Sequence, residues 1–536
     1  MKKQTVANPM LTLIPMLLAF FMIMVDTTIV NIAIPTLLKH FNTDLTTLLW
    51  VNSAYALTTA VPLLLTGRLG DRFGQDKLFL AGTVVFTLSS AWCGFAHTVE
   101  ELIIARAVQG LGGAMLVPQT MAMIAKIFPP KERGKALGFW GAVAGVATIF
   151  GPLIGGVIVD SLGWEWIFFV NIPFGVIAVI MAIKLLPNFE GQNIKLDFIS
   201  IVLSGVGMFC ITFGLQEGHQ YDWGKITGVI SVWNLIIIGV IFMMLFIWRQ
   251  KTEGKNSLLP LRLFRSRNFI LANVAGFSAS FAMLTFSLPF TLYLQTGLGM
   301  DPTKAALVFL PMSLVSGAFS PYVGKISQKI EPRFIATGGF ALYTLGTIGI
   351  ILTMNPQGNL LPVIIFSLIT GIGLAGVFSP ISNIVTQSVP VADSGISSAA
   401  FNTIRQIGGV LGSAIVASVM STQIKDQLTN AAHANAGSIP VPARDQVVNG
   451  IINGAGGEFS APPSFHAPAG TPATIIENIK NAVDTILRQG ITDATSHTLY
   501  LVVIVMLIGT IATLFMKNLN VTQPNEQPTK KENNAT

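Results

Sequence analysis

A single acidic residue interrupts the first apolar segment of the chain. Residues 11–34 are long enough to cross a bilayer, which takes about 20 apolar residues, yet Asp26 lies roughly two-thirds of the way along them. A charge near the centre of a membrane helix costs about 2.5–3.5 kcal/mol on insertion scales. Ionisable residues in such positions usually mark ion or substrate pathways, so we predict that Asp26 is protonatable and lines a cavity. The alternative is that it faces water or caps a break in the helix.

Two arginines also lie within apolar segments. Arg106 is embedded in LIIARAVQGLGGAM, and Arg405 in FNTIRQIGG. A buried guanidinium needs partners, and each is a candidate for the cation beside Asp26. The alternative for Arg106 is a purely structural hydrogen-bond hub.

A glycine-rich stretch with several charges follows the second apolar segment. It reads GRLGDRFGQDK from Gly67, and Gly74 lies within it. The glycines permit a tight turn, and Asp71 is expected near a helix N-terminus, where the helix dipole favours a carboxylate. A basic turn with a helix cap would explain the charges, including Arg72, but not G-x-L-x-D-R-x-G as a unit.

Composition sets the class of protein. Of 536 residues, 51% are hydrophobic and only 11% are charged, with a mean hydropathy of +0.65. Soluble domains carry about 25% charged residues, so this composition predicts a multi-span membrane protein in a lipid bilayer. The two cysteines lie in apolar segments, which predicts neither a disulfide framework nor a metal site. The net charge of +7 comes from basic residues in short loops, so we expect no nucleic-acid partner.

The apolar segments predict fourteen spans with both termini in the cytoplasm, because most Lys and Arg then fall on that side. The predicted spans are 10–34, 47–66, 78–96, 101–125, 136–160, 166–186, 197–215, 226–248, 268–294, 303–323, 333–353, 361–385, 395–418 and 498–516.

A weak internal repeat divides the chain. GKISQKIEPR from Gly324 echoes the stretch at Gly67. This predicts two six-helix bundles, 1–186 and 268–516, separated by two inserted helices and a cytoplasmic linker at 187–267 and followed by a tail at 517–536. A long outer loop is predicted at 419–497. It contains an amphipathic pattern at 475–488, typical either of a cap or lid or of a surface helix in a disordered loop.

The charged stretch at Gly67 resembles the hallmark loop of the major facilitator superfamily, in which the Asp and Arg form a latch at the inner gate. The second copy has Ser327 and Gln328 instead of the acid, so any latch there is expected to be weak. The segment around Arg106 resembles the motif of that superfamily associated with proton transfer.

The fifth span resembles the motif of exporters in the same superfamily, carried here by Gly145, Gly151, Pro152 and Gly155. The alternative is simple helix packing. VDTTIVNIAIP, WVNSAYALTTAVPLLLTGRLGD and GWEWIFFVNIPFG resemble the fourteen-span drug:proton antiporter family, except that Glu165 replaces a common Arg.

That resemblance implies an all-α major facilitator fold and no enzymatic activity. It implies a monomer in the plasma membrane that uses the proton gradient, with no cofactor, to export lipophilic drugs. Spans 9 to 14 hold no acid, which favours monocationic or neutral substrates. Alternatives are an exporter of an endogenous metabolite, lipid or peptide and, third, a proton-linked importer. An ATP-driven pump is disfavoured, because no G-x-x-x-x-G-K-[ST] occurs.

Substrate sites in such transporters lie near the midplane between the two halves. The candidates for the substrate cavity are Asn31, Tyr55, Gln109, Phe286, Phe290, Asn402 and Arg405.

Overall fold

The computed structural model describes residues 9–518 apart from 195, 219, 222, 229, 254–256, 357, 439–443 and 455–472. The first half of this largely helical chain contains α1 (Pro9–Phe41), α2 (Leu45–Ala60), α3 (Leu63–Phe73), α4 (Gln75–Gly94), α5 (Val99–Ile127), α6 (Pro130–Ser161), α7 (Trp166–Phe169) and α8 (Asn171–Leu185).

Two further helices, α9 (Phe198–Glu217) and α10 (Val232–Glu253), are joined by a small antiparallel hairpin of β1 (Lys225–Thr227) and β2 (Ile230–Ser231). The second half contains α11 (Arg267–Leu292), α12 (Pro302–Ile326), α13 (Pro332–Thr353), α14 (Leu360–Gln387), α15 (Ser394–Ala434), α16 (Arg444–Gly454) and α17 (Ala473–Leu514). Single turns of 3₁₀ or π helix occupy Leu261–Arg265, Tyr293–Gly297, Val391–Asp393 and Ala436–Ser438.

Polar residues at the helix starts explain several of these boundaries. Asp44, Thr98, Asp197, Ser266 and Asn359 each accept a hydrogen bond from a backbone N–H in the first turn that follows. Such caps satisfy donors that an α-helix leaves unpaired.

The count of spans is close to the predicted fourteen. Within the described residues, twelve helices are long and apolar enough to cross a membrane. The pair α2 and α3, bent by 46° at Pro62, would make a thirteenth, since proline removes a backbone donor and breaks the helix. The 32-residue α6, which includes side chains outside the described part, would complete fourteen. The full count stays a prediction.

The two halves meet along α6 and α12, and where α3 and α5 pack against α15. Small residues permit the first contact: a Cβ on Gly138 would lie 2.8 Å from the Ser320 carbonyl, and one on Gly145 would lie 3.1 Å from the Gly317 backbone. The interface therefore depends on glycine on both helices.

The inserted helices α9 and α10 pair with each other, and α9 also contacts α2 and α15. Arg249 donates two hydrogen bonds to the Asp197 carboxylate, of 2.6 and 2.9 Å. These bonds lower the pKa of the Asp197 carboxyl to about 2. The carboxyl is thus ionised at neutral and mildly acidic pH, and the clamp is lost only as the pH falls towards that value.

The predicted outer loop at 419–497 needs correction. Helix α15 continues to Ala434, α16 lies within the region, and the amphipathic pattern at 475–488 belongs to α17, a single helix of 42 residues. Their apolar faces pack together, with Met420 and Ile424 against Ile479 and Ile486. These contacts explain why polar sequence beyond the predicted spans remains helical. We call this α15–α16–α17 assembly the outer hairpin, after the predicted position of residues 419–497.

Candidate functional site

The carboxylate of Asp26 is wholly buried and receives three side-chain donors. Arg106 Nη1 lies 2.6 Å from Asp26 Oδ2. Gln109 Nε2 and Asn171 Nδ2 each donate to Asp26 Oδ1 at 2.9 Å. Arg106, not Arg405, is therefore the cation beside Asp26.

The sequence of α5 explains two of these contacts. Arg106 and Gln109 are three residues apart, so they share a face of the helix, and Arg106 Nη1 also donates to Gln109 Oε1 at 2.7 Å. Arg106 Nε donates to the Val51 carbonyl at 3.4 Å, and its guanidinium lies 4.1 Å from the centre of the Tyr55 ring. Arg106 is thus contacted by Gln109 from its own helix and by Val51 and Tyr55 from α2.

Asn171 was missed by the sequence reasoning. It begins α8 and is 1% exposed; its amide also donates to Ser90 Oγ at 3.1 Å. It lies within GWEWIFFVNIPFG, one of the stretches that carried the family resemblance, and a buried polar residue there was the available signal.

A cavity of about 330 Å³ lies between the halves, beside this network. Arg106 and Tyr55 line it from the first half, and Asn402 and Arg405 line it from α15. Asp26 is not among the residues that line it, contrary to the prediction, whereas its ion-pair partner Arg106 is.

Arg405 is the second cation of the cavity wall. Its guanidinium lies 5.6 Å from the ring centres of both Trp140 and Phe378. No carboxylate within the described ranges lies within ion-pair distance of it. Since Asp26 balances Arg106, the cavity carries about one net positive charge.

The other predicted cavity residues have different surroundings. Gln109 contacts Asp26 instead of the cavity. Phe286 and Phe290 are buried within the second half, against Tyr343 and Phe309 respectively. The side chain of Asn31 lies outside the described part of the structure.

Several uncharged polar residues of the wall were not predicted. They are Thr27, Asn52, Thr59, Gln216 and Gln406. Gln216 belongs to the inserted helix α9, so the inserted pair contributes to the cavity. The sequence holds no strong signal for such residues, because Thr and Gln also occur freely on helix surfaces.

Asp71 ties the two halves together at the end that bears the basic loops. Its Oδ1 accepts from the Gly395 N–H at 3.2 Å, and its Oδ2 accepts from the Ile396 N–H at 3.0 Å. Both donors belong to the first turn of α15, where a carboxylate also meets the positive end of the helix dipole. The helix that Asp71 caps is thus in the opposite half.

Two glycines make this contact possible. A Cβ on Gly67 would overlap the Ala399 side chain of α15, and Gly74 ends α3 with a φ of +107°. The latch expected of Arg72 is absent: its guanidinium lies 5.2 Å from the Phe73 ring, and no described carboxylate lies within ion-pair distance.

The second half has a different contact at the same end. Ser327 donates to Val323 within its own helix. Arg133 of α6 instead donates to the carbonyls of Phe128, Ala125 and, across the interface, Thr386 at 3.1 Å.

The glycines of the predicted exporter motif serve two different interfaces. Gly145 packs on Gly317 of α12. A Cβ on Gly151 would collide with Thr28, and one on Gly155 would lie 2.7 Å from Ile29 Cγ1. Helix α6 therefore lies close against α1 just beyond Asp26. Pro152 lies on α6, but its side chain is outside the described part.

Two helical bundles around a central cavity, with the arginine of a buried ion pair in its wall, define a membrane transporter rather than an enzyme. The sequence profile of the Major Facilitator Superfamily matches residues 16–413, and the chain belongs to this superfamily.

Three relatives and one solved structure illustrate the similarity. An uncharacterised MFS-type transporter of Mycobacterium tuberculosis is 37% identical over 95% of this chain and 81% of its own length. The multidrug export protein EmrB of Haemophilus influenzae is 31% identical over 74% and 78%, respectively. The riboflavin transporter RibZ of Clostridioides difficile is 30% identical over 77% and 89%. The proton:xylose symporter XylE shares the fold, with a TM-score of 0.55 at 15% identity over 76% and 87%.

Proposed function

We propose that the protein is a proton-coupled antiporter that exports lipophilic small molecules from the cytoplasm through the plasma membrane by alternating access. The observation that carries this proposal is that Arg106, the ion-pair partner of the buried Asp26 carboxylate, lines the cavity. Any proton that binds to Asp26 changes the charge that the cavity presents.

The sign of this coupling favours exchange. With Asp26 ionised, Arg106 is neutralised by its partner. A proton on Asp26 removes that compensation, so the cavity gains about one unit of positive charge. A cationic or apolar substrate is then held less favourably, because the uncompensated guanidinium repels cations and must be solvated. Proton uptake therefore drives substrate release, and substrate binding drives proton release.

The contacts of Asp71 provide a gate for alternating access. They close one end of the molecule by capping α15 from α3, and α15 also carries Arg405 and Asn402 in the cavity wall. Opening that end must break this cap and move α15. The same helix thus links the gate to the substrate cavity.

The charge of the cavity narrows the substrate class. The positive charge of Arg405 in the cavity wall disfavours monocations and so favours neutral compounds. Trp140 and Phe378 beside it offer aromatic surface. We propose neutral lipophilic drugs as the preferred substrates.

Transport by native protein and by Asp26→Asn in proteoliposomes with an imposed pH gradient tests the proposal. Chloramphenicol serves as the neutral probe and ethidium as the monocationic one. Asparagine keeps the shape of the side chain but cannot exchange a proton and leaves Arg106 uncompensated, so gradient-driven export should fall to background and substrate binding should weaken. Asp484→Asn, on the outer hairpin and 59% exposed, is the matched control. Undiminished proton-driven export by Asp26→Asn would refute the proposed coupling.

A second candidate is export of an endogenous metabolite. The name of the riboflavin transporter relative favours a heteroaromatic cellular compound as a substrate of this chain too. The two candidate functions are distinguished by comparing a deletion strain with its parent in two assays. One measures metabolites in the medium, and the other measures retention of drugs and dyes by the cells.

A further inference from the structure

A second buried carboxyl belongs to a residue adjacent in sequence to the cavity wall. Glu217 is the last residue of the inserted helix α9 and is 4% exposed. Its Oε1 accepts a hydrogen bond of 2.5 Å from Ser53 Oγ of α2. This bond joins the inserted pair to the first half of the transporter.

The bond lies directly beside the cavity. Gln216 and Asn52, the residues that precede Glu217 and Ser53, both line it. A change in the charge or position of Glu217 would therefore move two wall residues, one on each helix.

No cation compensates this carboxyl within the described part of the chain. Helix α2 has no charged residue. The charged residues of α10 are Arg249, Lys251 and Glu253, at the end of α10 remote from the β-hairpin that follows Glu217. Those of α15 are Arg405, in the cavity wall, and Lys425 and Asp426, in the outer hairpin.

Burial without a cation makes the ionised form costly, whereas a protonated carboxyl needs only a hydrogen-bond partner such as the Ser53 hydroxyl. Burial in this conformation therefore favours the protonated acid. Movement of α9 or α2 that admits water would favour ionisation. The Glu217 carboxyl would therefore take up and release a proton as the conformation of the transporter changes.

We propose that Glu217 is a second proton-binding carboxyl of the transport cycle, supplied by the inserted helices. This inference rests on the proposed antiport. Glu217 holds one proton, taken up from the outer side, while the Asp71 end is closed and the acid is buried, and it gives that proton up when this end opens and admits inner water, alongside the proton on Asp26. Two protons then enter for each substrate exported, so export of a neutral compound moves two positive charges inward.

Infrared pH-difference spectra of the purified full-length protein test the proton site without a substrate. A protonated buried carboxyl gives a C=O stretching band that disappears on ionisation. Native protein and the control Glu253→Gln should share a band component that Glu217→Gln lacks. Ser53→Ala should shift that component, because it removes the hydrogen bond but keeps the acid. Identical spectra for native protein and Glu217→Gln would overturn the proposal.

The charge moved per substrate gives a second measurement. Reversal potentials in proteoliposomes with chloramphenicol should indicate two protons per molecule for native protein and Glu253→Gln, and one for Glu217→Gln. An unchanged ratio in Glu217→Gln would contradict a role in coupling even if the residue titrates. If native protein shows no proton-driven transport, the proposed function fails, and the spectra still decide whether Glu217 binds a proton.

Discussion

Charged side chains inside apolar segments were the clearest signal in the sequence, and they gave the centre of the site. Asp26 and Arg106 are far apart in the sequence yet form an ion pair in the structure. The cost of placing either charge alone in a membrane explains why the sequence could reveal them. Their uncharged partners, Asn171 and Gln109, carry no such cost, and Asn171 was missed.

The charge of Arg405 leads to a prediction about selectivity. Arg405→Gln removes the positive charge of Arg405 from the cavity wall but retains a polar, although shorter, side chain. We expect export of the monocation ethidium to improve relative to neutral chloramphenicol by roughly tenfold, the equivalent of about 1.4 kcal/mol. Competition assays in proteoliposomes with both probes measure the ratio.

Gln406→Ala is the control for Arg405→Gln, because Gln406 lines the same cavity without a charge. An unchanged ratio of the two substrates in Arg405→Gln would show that this guanidinium does not set the charge preference.

At the scale of helices, the close packing of α6 on α1 predicts a sharp difference between neighbouring glycines. Gly151→Ala places a methyl group against Thr28, whereas a Cβ on Gly156 meets nothing within 4 Å. Overpacking costs about 1–3 kcal/mol, so Gly151→Ala should lower the thermal unfolding temperature and slow transport. Gly156→Ala should match native protein in both measurements, and equal effects of the two substitutions would contradict this account.

The cap on α15 predicts how the gate responds to a loss of charge. Asp71→Asn weakens the interaction with the first turn of α15 by about 1 kcal/mol, which should increase opening at that end roughly fivefold. A cysteine at Ala399, which packs on Gly67, would report opening through its rate of maleimide labelling. The native cysteines, Cys93 and Cys210, are buried and give a low background.

Gln328→Ala tests the asymmetry between the two gate motifs. Gln328 occupies the position in the second copy where the first copy has Asp71, and it lacks the carboxylate. Labelling at Ala399 should therefore stay at the native rate in Gln328→Ala. Faster labelling in Gln328→Ala, or no increase in the labelling rate in Asp71→Asn, would argue against the Asp71 cap as the main contact that closes this end.

Helix ends were harder to predict than helix positions. Hydropathy located the apolar part of each of the twelve described helices that are long and apolar enough to cross a membrane, but it could not show that α15 and α17 continue beyond that part. These extensions are stabilised by packing of Met420 and Ile424 of α15 with Ile479 and Ile486 of α17, and the two helices are distant in the sequence. The pattern at 475–488 did predict a helix, although its burial partner could not be known from that segment alone.

For the whole molecule, the outer hairpin should behave as a packed unit. Ile486 is fully buried in its core, so Ile486→Ala should destabilise the hairpin by about 2–5 kcal/mol. Limited proteolysis of vesicles should then cut residues 419–497 faster than in native protein. Ile476→Ala is the control, because Ile476 is 39% exposed and its truncation should leave the rate of cutting unchanged.

The contacts between the halves could not be read from the sequence. The bonds from Asp71 to Gly395 and from Arg133 to Thr386 join residues 324 and 253 positions apart. The internal repeat indicated two bundles, but the two copies use different residues at the gate. The repeat could not indicate that Arg133 donates across the interface where the second copy lacks an acid.

Helix α15 has 41 residues, so it is roughly 60 Å long at 1.5 Å per residue. Asp71 holds one end of this rod, Arg405 lies only about 16 Å along it, and the far tip reaches Ala434. While this cap holds, a rigid-body tilt of α15 about the capped end that moves Arg405 by about 2 Å moves the tip by roughly 7 Å. A fluorescent probe attached at the tip would therefore move more than three times as far as the substrate-side residues during such a tilt.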